Sequence, residues 1–150
     1  MAGSPATGLS TPPSTVDVER GRLRLFAKAI GETDPVYTDL DAARGAGHRD
    51  LPVPPTFLFC LEMDRPDPFA FLTEAGINLD RVLHGEQSFT YHALCHAGDS
   101  LTFESRITDD YERKGGALRF LVRQTHVTRA GRPIADLSNV IVVQQEKAEA

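Results

Sequence analysis

The chain contains no apolar run approaching the roughly 20 residues that a membrane-crossing helix requires. No membrane partner is therefore expected, and a cytoplasmic location is. Its opening stretch, "MAGSPATGLSTPPSTVD", lacks the basic segment and apolar core of a secretory signal. Positive charge is short as well. Against 21 Asp and Glu stand 16 Lys and Arg, a net charge of −5, which offers no electrostatic footprint for nucleic acid. Cysteine is scarce: Cys60 and Cys95 sit inside apolar segments without metal-like spacing and read as free thiols in a reducing compartment. The histidines are scattered and the carboxylates show no coordination pattern, so no metal is assigned. A glycine-rich phosphate loop and the Ser-x-x-Lys and Gly-x-Ser-x-Gly nucleophile motifs are all missing. There is no internal repeat.

What is present is the material of one globular domain. The 150 residues are 41% hydrophobic and 25% charged, enough to bury a real core. Residues 1–15, rich in Ser, Thr, Pro, Ala and Gly, read as a flexible leader; a domain is expected over 16–145, and 146–150 as a tail. Within "VDVERGRLRLFAKAI", Val18, Leu23, Phe26, Ala27 and Ile30 recur at helical spacing, and Gly31 supplies a stop. Asp34-Pro35 is a turn signal, and Asp39 can cap a short helix that Gly45 and Gly47 end. Prolines 52, 54 and 55 precede the apolar block Phe57 to Met63, which predicts a buried helix starting near Pro55 or Thr56. Phe69 to Glu74 can add one helical turn.

From His84 the pattern alternates. Four strands are expected in succession, with turns at Lys114-Gly115-Gly116 and Ala130-Gly131-Arg132-Pro133. Helices first and a β-meander after them point to an α+β domain, an antiparallel sheet covered by a buried helix.

Five segments, "FAKAIGETDPVYTD", "VPPTFLF", "LHGEQSFTYHAL", "AGDSLTFESRITDDYERKGG" and "IADLSNVIVV", together resemble the MaoC-like hydratase/dehydratase family. The closest resemblance is to its N-terminal, FAS1-like dehydratase type. It runs from about Val16 to Gln145 and implies a single hot-dog fold, an antiparallel β-sheet wrapped around a central helix. Active members of the family carry Asp-x-Asn-Pro-x-His in the turn after the first helix, where the Asp and His add or remove water across the Cα–Cβ bond of an acyl thioester. Here Glu32 stands at the Asp position, Asp34 at the Asn, Pro35 at the Pro and Tyr37 at the His. The added methylene of Glu32 moves its carboxylate by more than about 1 Å, a displacement that can cost about 100-fold in rate. Tyr37 replaces a group that titrates near neutrality with a phenol of ordinary pKa about 10.

A second departure lies at the central helix. Active members begin it with His-Gly, whose backbone N–H holds the thioester carbonyl. The corresponding place here is Pro54-Pro55-Thr56, and proline has no N–H to give. Thr56 or Phe57 would have to supply it.

The resemblance thus implies a component of an (R)-specific 3-hydroxyacyl-thioester dehydratase or 2-enoyl-thioester hydratase, a hydro-lyase of fatty acid metabolism. This chain would be the substrate-binding half, with a degenerate catalytic motif, in a homodimer or in a heterodimer with a catalytic MaoC-like partner. No cofactor is implied beyond the coenzyme A or acyl carrier protein that bears the substrate. Asp34, Pro55, Thr56, Phe57, His84 and Gly85 are the expected substrate contacts, and Glu32 and Tyr37 the candidates for any residual catalysis. Two alternatives stand beside this reading: a self-sufficient hydratase using Glu32 and Tyr37, and a hot-dog thioesterase using Glu62, which lies late in the central helix. Arg49 in "GHRD" could pair with a phosphate of coenzyme A, although a solvated loop is the commoner use of such a stretch.

Overall fold

The computed structural model describes residues 5–146. The elements run β1 (Ser10–Asp17), α1 (Arg20–Ala29), α2 (Leu40–Gly45), α3 (Phe57–Glu62), α4 (Ala70–Glu74), β2 (Val82–Tyr91), β3 (Ser100–Arg113), β4 (Leu118–Arg129) and β5 (Arg132–Gln144). The five strands form one sheet in the order β1-β3-β4-β5-β2, antiparallel at every step.

The expected leader needs correction. Residues 10–17 are an edge strand paired with β3, and the backbone N–H of Ala6, itself buried, donates to Asp110 Oδ2 at 2.6 Å. Proline cannot donate to a ladder, but an edge strand tolerates it. The register of β1 slips between Thr11 and Ser14, where Pro12 and Pro13 sit, and Arg65 Nη1 takes up the Pro12 carbonyl at 2.6 Å. Residues 1–4 and 147–150 lie outside the described residues. Helix α1 accordingly starts at Arg20 rather than Val16, and Val16 and Val18 enter the core from β1 and the segment that follows it.

Strands β3, β4 and β5 are the expected meander. The turn at 114–116 has positive φ at Lys114, Gly115 and Gly116, and the two-residue turn at 130–131 has it at Ala130 and Gly131, as the twist of a tight hairpin requires. Strand β2 departs from the meander. It crosses over and pairs with β5 at the far edge, so Tyr91 faces Ala135 and Val82 faces Val143.

Because side chains alternate, the ladder registers line up rows on the buried face of the sheet. One row is Ser105, Thr125, Leu137 and Phe89; the next is Ile107, Arg123, Asn139 and Gln87. Helix α3 lies against this face and buries Phe57, Leu58 and Leu61 with Leu101, Phe103 and Leu137. A second apolar cluster joins Phe71 and Leu72 of α4 to Ile107, Leu121, Ile141 and Val143. A buried helix against a curved antiparallel sheet is the α+β hot-dog arrangement.

Strand β2 carries a bulge between His84 and Glu86. A Cβ at Gly85 would lie 2.8 Å from Val142 Cγ2 and 3.0 Å from the Val140 carbonyl oxygen. The backbone oxygen cannot step aside without disturbing the β2–β5 ladder. Gly85→Ala is therefore expected to cost about 1–3 kcal/mol of stability through overpacking, read as a lower urea midpoint at unchanged m-value.

Candidate functional site

The turn after α1 forms as expected, but its carboxylates serve the turn itself. Gly31, with φ +71, reverses the chain at the end of α1. Glu32 Oε1 then accepts the backbone N–H groups of Thr33 and Asp34, each at 3.0 Å. Asp34 Oδ1 accepts the N–H of Val36 at 3.1 Å and caps the single 3-10 turn Pro35–Tyr37. Both carboxylates are exposed. Tyr37 is half-buried; burial raises its phenol above the ordinary value, and the neighbouring charges of Glu32 and Asp34 raise it further. A phenol so placed can donate a hydrogen bond but does not take up a proton near neutrality.

At the start of α3 the side chains of Pro55 and Thr56 are exposed, and Phe57 is buried. The Phe57 N–H donates to the Pro54 carbonyl at 3.0 Å, so of the two expected backbone donors only Thr56 makes no backbone hydrogen bond among the described residues. The Pro55 carbonyl accepts from the Tyr91 hydroxyl, which ties β2 to the helix start. Burial pushes that phenol well above its usual range. Phe57 itself packs on Phe26 of α1 at 4.8 Å between ring centroids.

His84 and Gly85 fall on β2, His84 beside the ring of Phe59 at 5.3 Å and within 3.3 Å of Gln87 Oε1. His84 lines a cavity of about 260 Å³ between the end of α3, α4 and the sheet. Phe59, Met63, Phe71 and Ile141 make its apolar wall, and Arg123 and Asn139 its polar one. Glu32, Asp34, Tyr37 and Thr56 are not part of this lining. The structure therefore gathers His84 with the cavity and leaves the turn residues elsewhere.

Glu62 is committed to the core. Its carboxylate, 2% exposed, accepts from the hydroxyls of Ser105 and Thr125 and pairs with Arg123 Nη1 at 3.3 Å. It is not aimed at the cavity as a thioesterase would need. Arg123 stacks its guanidinium over Phe71 at 4.4 Å. Sequence reasoning missed Arg123 and Asn139, although both carry a signal: each is polar at an inward position of an alternating strand, between Leu121 and Thr125 and between Leu137 and Ile141 respectively.

Arg49 pairs with Asp99 instead of standing free for a phosphate. Burial works against the Asp99 carboxylate, but Arg49, the His96 N–H and Arg129 together hold it below its usual range. Cys95 is buried and its thiol pushed up to about 11 by that burial; Cys60 is half-buried, and both are free.

The sheet wrapped on α3 defines a hot-dog domain. Residues 6–137 match the family described as "FAS1-like, dehydratase domain region", and the chain belongs to that family. Relatives include the UPF0336 protein of Streptomyces coelicolor, 40% identical over 101 residues and 67% of each chain. The UPF0336 protein of Saccharopolyspora erythraea is 33% identical over 138 residues, 91% of this chain and 88% of its own. The fold is shared with the C-terminally truncated HadBC (3R-hydroxyacyl-ACP dehydratase) complex from Mycobacterium tuberculosis, at TM-score 0.81 and 22% identity over 93% of this chain and 98% of that one. It is also shared with the ChsH1–ChsH2 complex of the same organism, at TM-score 0.74 and 21% identity over 93% and 86% of the chains. The (R)-hydratase from A. caviae involved in PHA biosynthesis gives TM-score 0.67 and 18% identity over 96% and 100%.

Two predictions come from these contacts. Replacing Glu62 with Leu strands Arg123 in the core and is expected to cost about 3–5 kcal/mol, whereas the double change Glu62→Leu with Arg123→Met recovers most of that loss; chemical denaturation of the two variants checks it. The second concerns acid. Asp50 is lowered to about 2 by its hydrogen bonds from Arg20, and Asp99 is lowered as described. Folded values below the unfolded one of about 3.9 mean that this stability is complete above that pH and is lost as pH falls through the folded values. Burial likewise holds the His96 imidazole below its usual value, so the melting temperature should begin to fall as pH drops through about 6.5 and fall steeply below about pH 4, less steeply there in Asp99→Asn.

Proposed function

We propose that this chain is the substrate-binding half of an (R)-specific 3-hydroxyacyl-thioester dehydratase or 2-enoyl-thioester hydratase. Catalysis would come from a hot-dog partner that keeps the Asp and His. The observation that carries this reading is the state of the turn. The Glu32 carboxylate is exposed and spent on Thr33 and Asp34, and Tyr37, at the His position, has its phenol raised rather than lowered. Neither group meets what general base catalysis asks of geometry and pKa.

The partner reading draws support from β2. It is an edge strand of ten residues, mostly exposed, with no strand paired on its outer side among the described residues; such an edge invites another sheet. It also borders the cavity through Val82, Leu83 and His84, so a partner docked there would lie beside the bound acyl group. That HadBC and ChsH1–ChsH2 are complexes of two named components agrees with a paired arrangement. In this division of labour the chain binds and orients the acyl group and excludes water from it, and the partner moves the proton. Coenzyme A or acyl carrier protein carries the substrate, and no further cofactor enters.

Hydration of crotonyl-CoA, followed by loss of enoyl-thioester absorbance, tests the proposal. The purified chain alone should show no turnover, and co-expression with an intact MaoC-like partner should restore it, with Glu32→Ala leaving the rate of the pair unchanged. Turnover by the chain alone that Glu32→Ala abolishes would instead establish a self-sufficient hydratase.

A further inference from the structure

The segment that leads into α3 is held against the turn before β3 by a short ladder. The Val53 N–H donates to the Cys95 carbonyl at 3.0 Å and the Ala97 N–H to the Leu51 carbonyl at 2.9 Å, with Pro52 and His96 bridged between them. Residues 48–53 thus form a strap. Leu51 is buried at its centre, and prolines 52, 54 and 55 stiffen its path into α3. At the other end of the strap two imidazoles meet. His48 Nδ1 lies 3.0 Å from His96 Nε2. His96 is 8% exposed, and its second nitrogen, Nδ1, is buried without a hydrogen-bond partner.

That unpaired atom decides where the protons are. A neutral imidazole carries one N–H and one bare nitrogen. With its proton on Nδ1, His96 would strand a donor in the core; a bare nitrogen there is the lesser cost. His96 therefore keeps its proton on Nε2 and donates to the bare Nδ1 of His48. The pair has no place for another proton. Added to His96, it goes to Nδ1 and has nothing to donate to. Added to His48, it goes to Nδ1 and points at the His96 N–H. The bond then survives only if the His96 proton moves to Nδ1, which strands the same donor.

The surrounding charges act in the same direction. Asp99 would favour a cation, but Arg49 takes its Oδ1, and the His96 backbone N–H and Arg129 take its Oδ2, each at 2.8 Å. Two guanidiniums against one carboxylate leave that cluster positive. Asp50 on the strap is committed to Arg20 of α1, Arg44 of α2 adds a further cation near it, and Cys95 is a neutral thiol. Burial, then Arg49 and the His48 ring, hold the His96 imidazole below its ordinary value.

We propose that the His48–His96 pair is an acid-sensitive latch: closed while both rings are neutral, it opens on the first added proton, frees the strap from residues 95–97 and loosens the start of α3. Little else holds the strap to that turn. Two backbone hydrogen bonds remain, together with the Arg49–Asp99 pair, whose arginine is half-exposed and holds less. Asp50 keeps the strap on α1 through Arg20. A group neutral in the fold and charged when free contributes stability that is complete above its free value of about 6.5 and is lost as pH falls from there. Neither ring lines the 260 Å³ cavity, so the latch does not depend on the acyl-thioester reading.

Amide hydrogen exchange and imidazole nitrogen-15 spectra of the full chain test it. At about pH 7.5 the His96 proton should be on Nε2. Between about pH 7.5 and pH 5 the protection factors of the Val53 and Ala97 amides should fall about tenfold, the size of one buried donor left unpaired. At the lower pH their exchange should be nearly independent of dilute urea, because a local opening exposes little surface. In His96→Gln, which donates to His48 without titrating, the fall should vanish; His96→Leu serves if the Gln variant does not fold. Unchanged wild-type protection, or exchange as urea-dependent as that of the β4–β5 ladder, would overturn the latch. A proton found on His96 Nδ1 would overturn the tautomer and the latch with it. A fall that persists in the His96 variant would overturn the role of the pair.

Discussion

Burying a carboxylate beside a guanidinium returns less than it costs unless the remaining lone pairs and N–H groups find partners. Glu62 and Arg123 lie together under α3, each at most 4% exposed, and the surrounding structure is arranged to meet that demand. The carboxylate is satisfied by Ser105 and Thr125, neighbours across β3 and β4. Along those strands the polar rows separate Phe103 and Val127, in one apolar cluster, from Ile107 and Leu121, in the other. The core is therefore two apolar bodies with a polar seam between them. The end of α3 is pinned to the sheet at the seam, and the cavity opens on its far side. A slip of one residue in β4 would turn Arg123 outward and carry Thr125 with it, so the ion pair also fixes register.

Much of the fold was legible because it is written locally. The 3.6-residue spacing in α1, the Asp39 cap of α2 and the glycine turns of the meander are short-range signals; the cap and the turns appear where they were expected, and α1 forms over the later part of its stretch, from Arg20. What was not legible is long-range. Proline and serine in residues 10–15 signal flexibility by composition, yet an edge strand needs only one side of its backbone, and Pro12-Pro13 fall where the register slips. The position of β2 beyond β5 depends on pairing across 44 residues (Tyr91 with Ala135) to 61 residues (Val82 with Val143), which no local pattern encodes.

The site divides along the same line. The turn could be aligned from sequence, since its shape comes from neighbouring residues: Asp34 caps, Pro35 fixes φ, Gly31 reverses the chain. Its hydrogen bonds explain how the turn holds its form: the Glu32 carboxylate folds back onto the N–H groups that follow it, and those bonds brace the turn. The polar wall of the cavity could not be aligned in this way. Arg123 and Asn139 lie 16 positions apart on the two arms of the β4–β5 hairpin and become a pair only through its register. Each alone reads as an interruption of an alternating strand.

Under the binding-half proposal, the cavity wall is under a different constraint from a catalytic centre. A catalytic centre must place its base and its donors to within a fraction of an ångström, and the segments that do so tolerate little change. A wall that only recognises the acyl group can exchange apolar for polar positions, provided the buried groups remain paired when the ligand is bound. The Glu62–Arg123 pair makes such an exchange physically workable here. It commits one nitrogen of the guanidinium to the core and sets the Glu62 carboxylate against its charge, so the cation is balanced inside the fold.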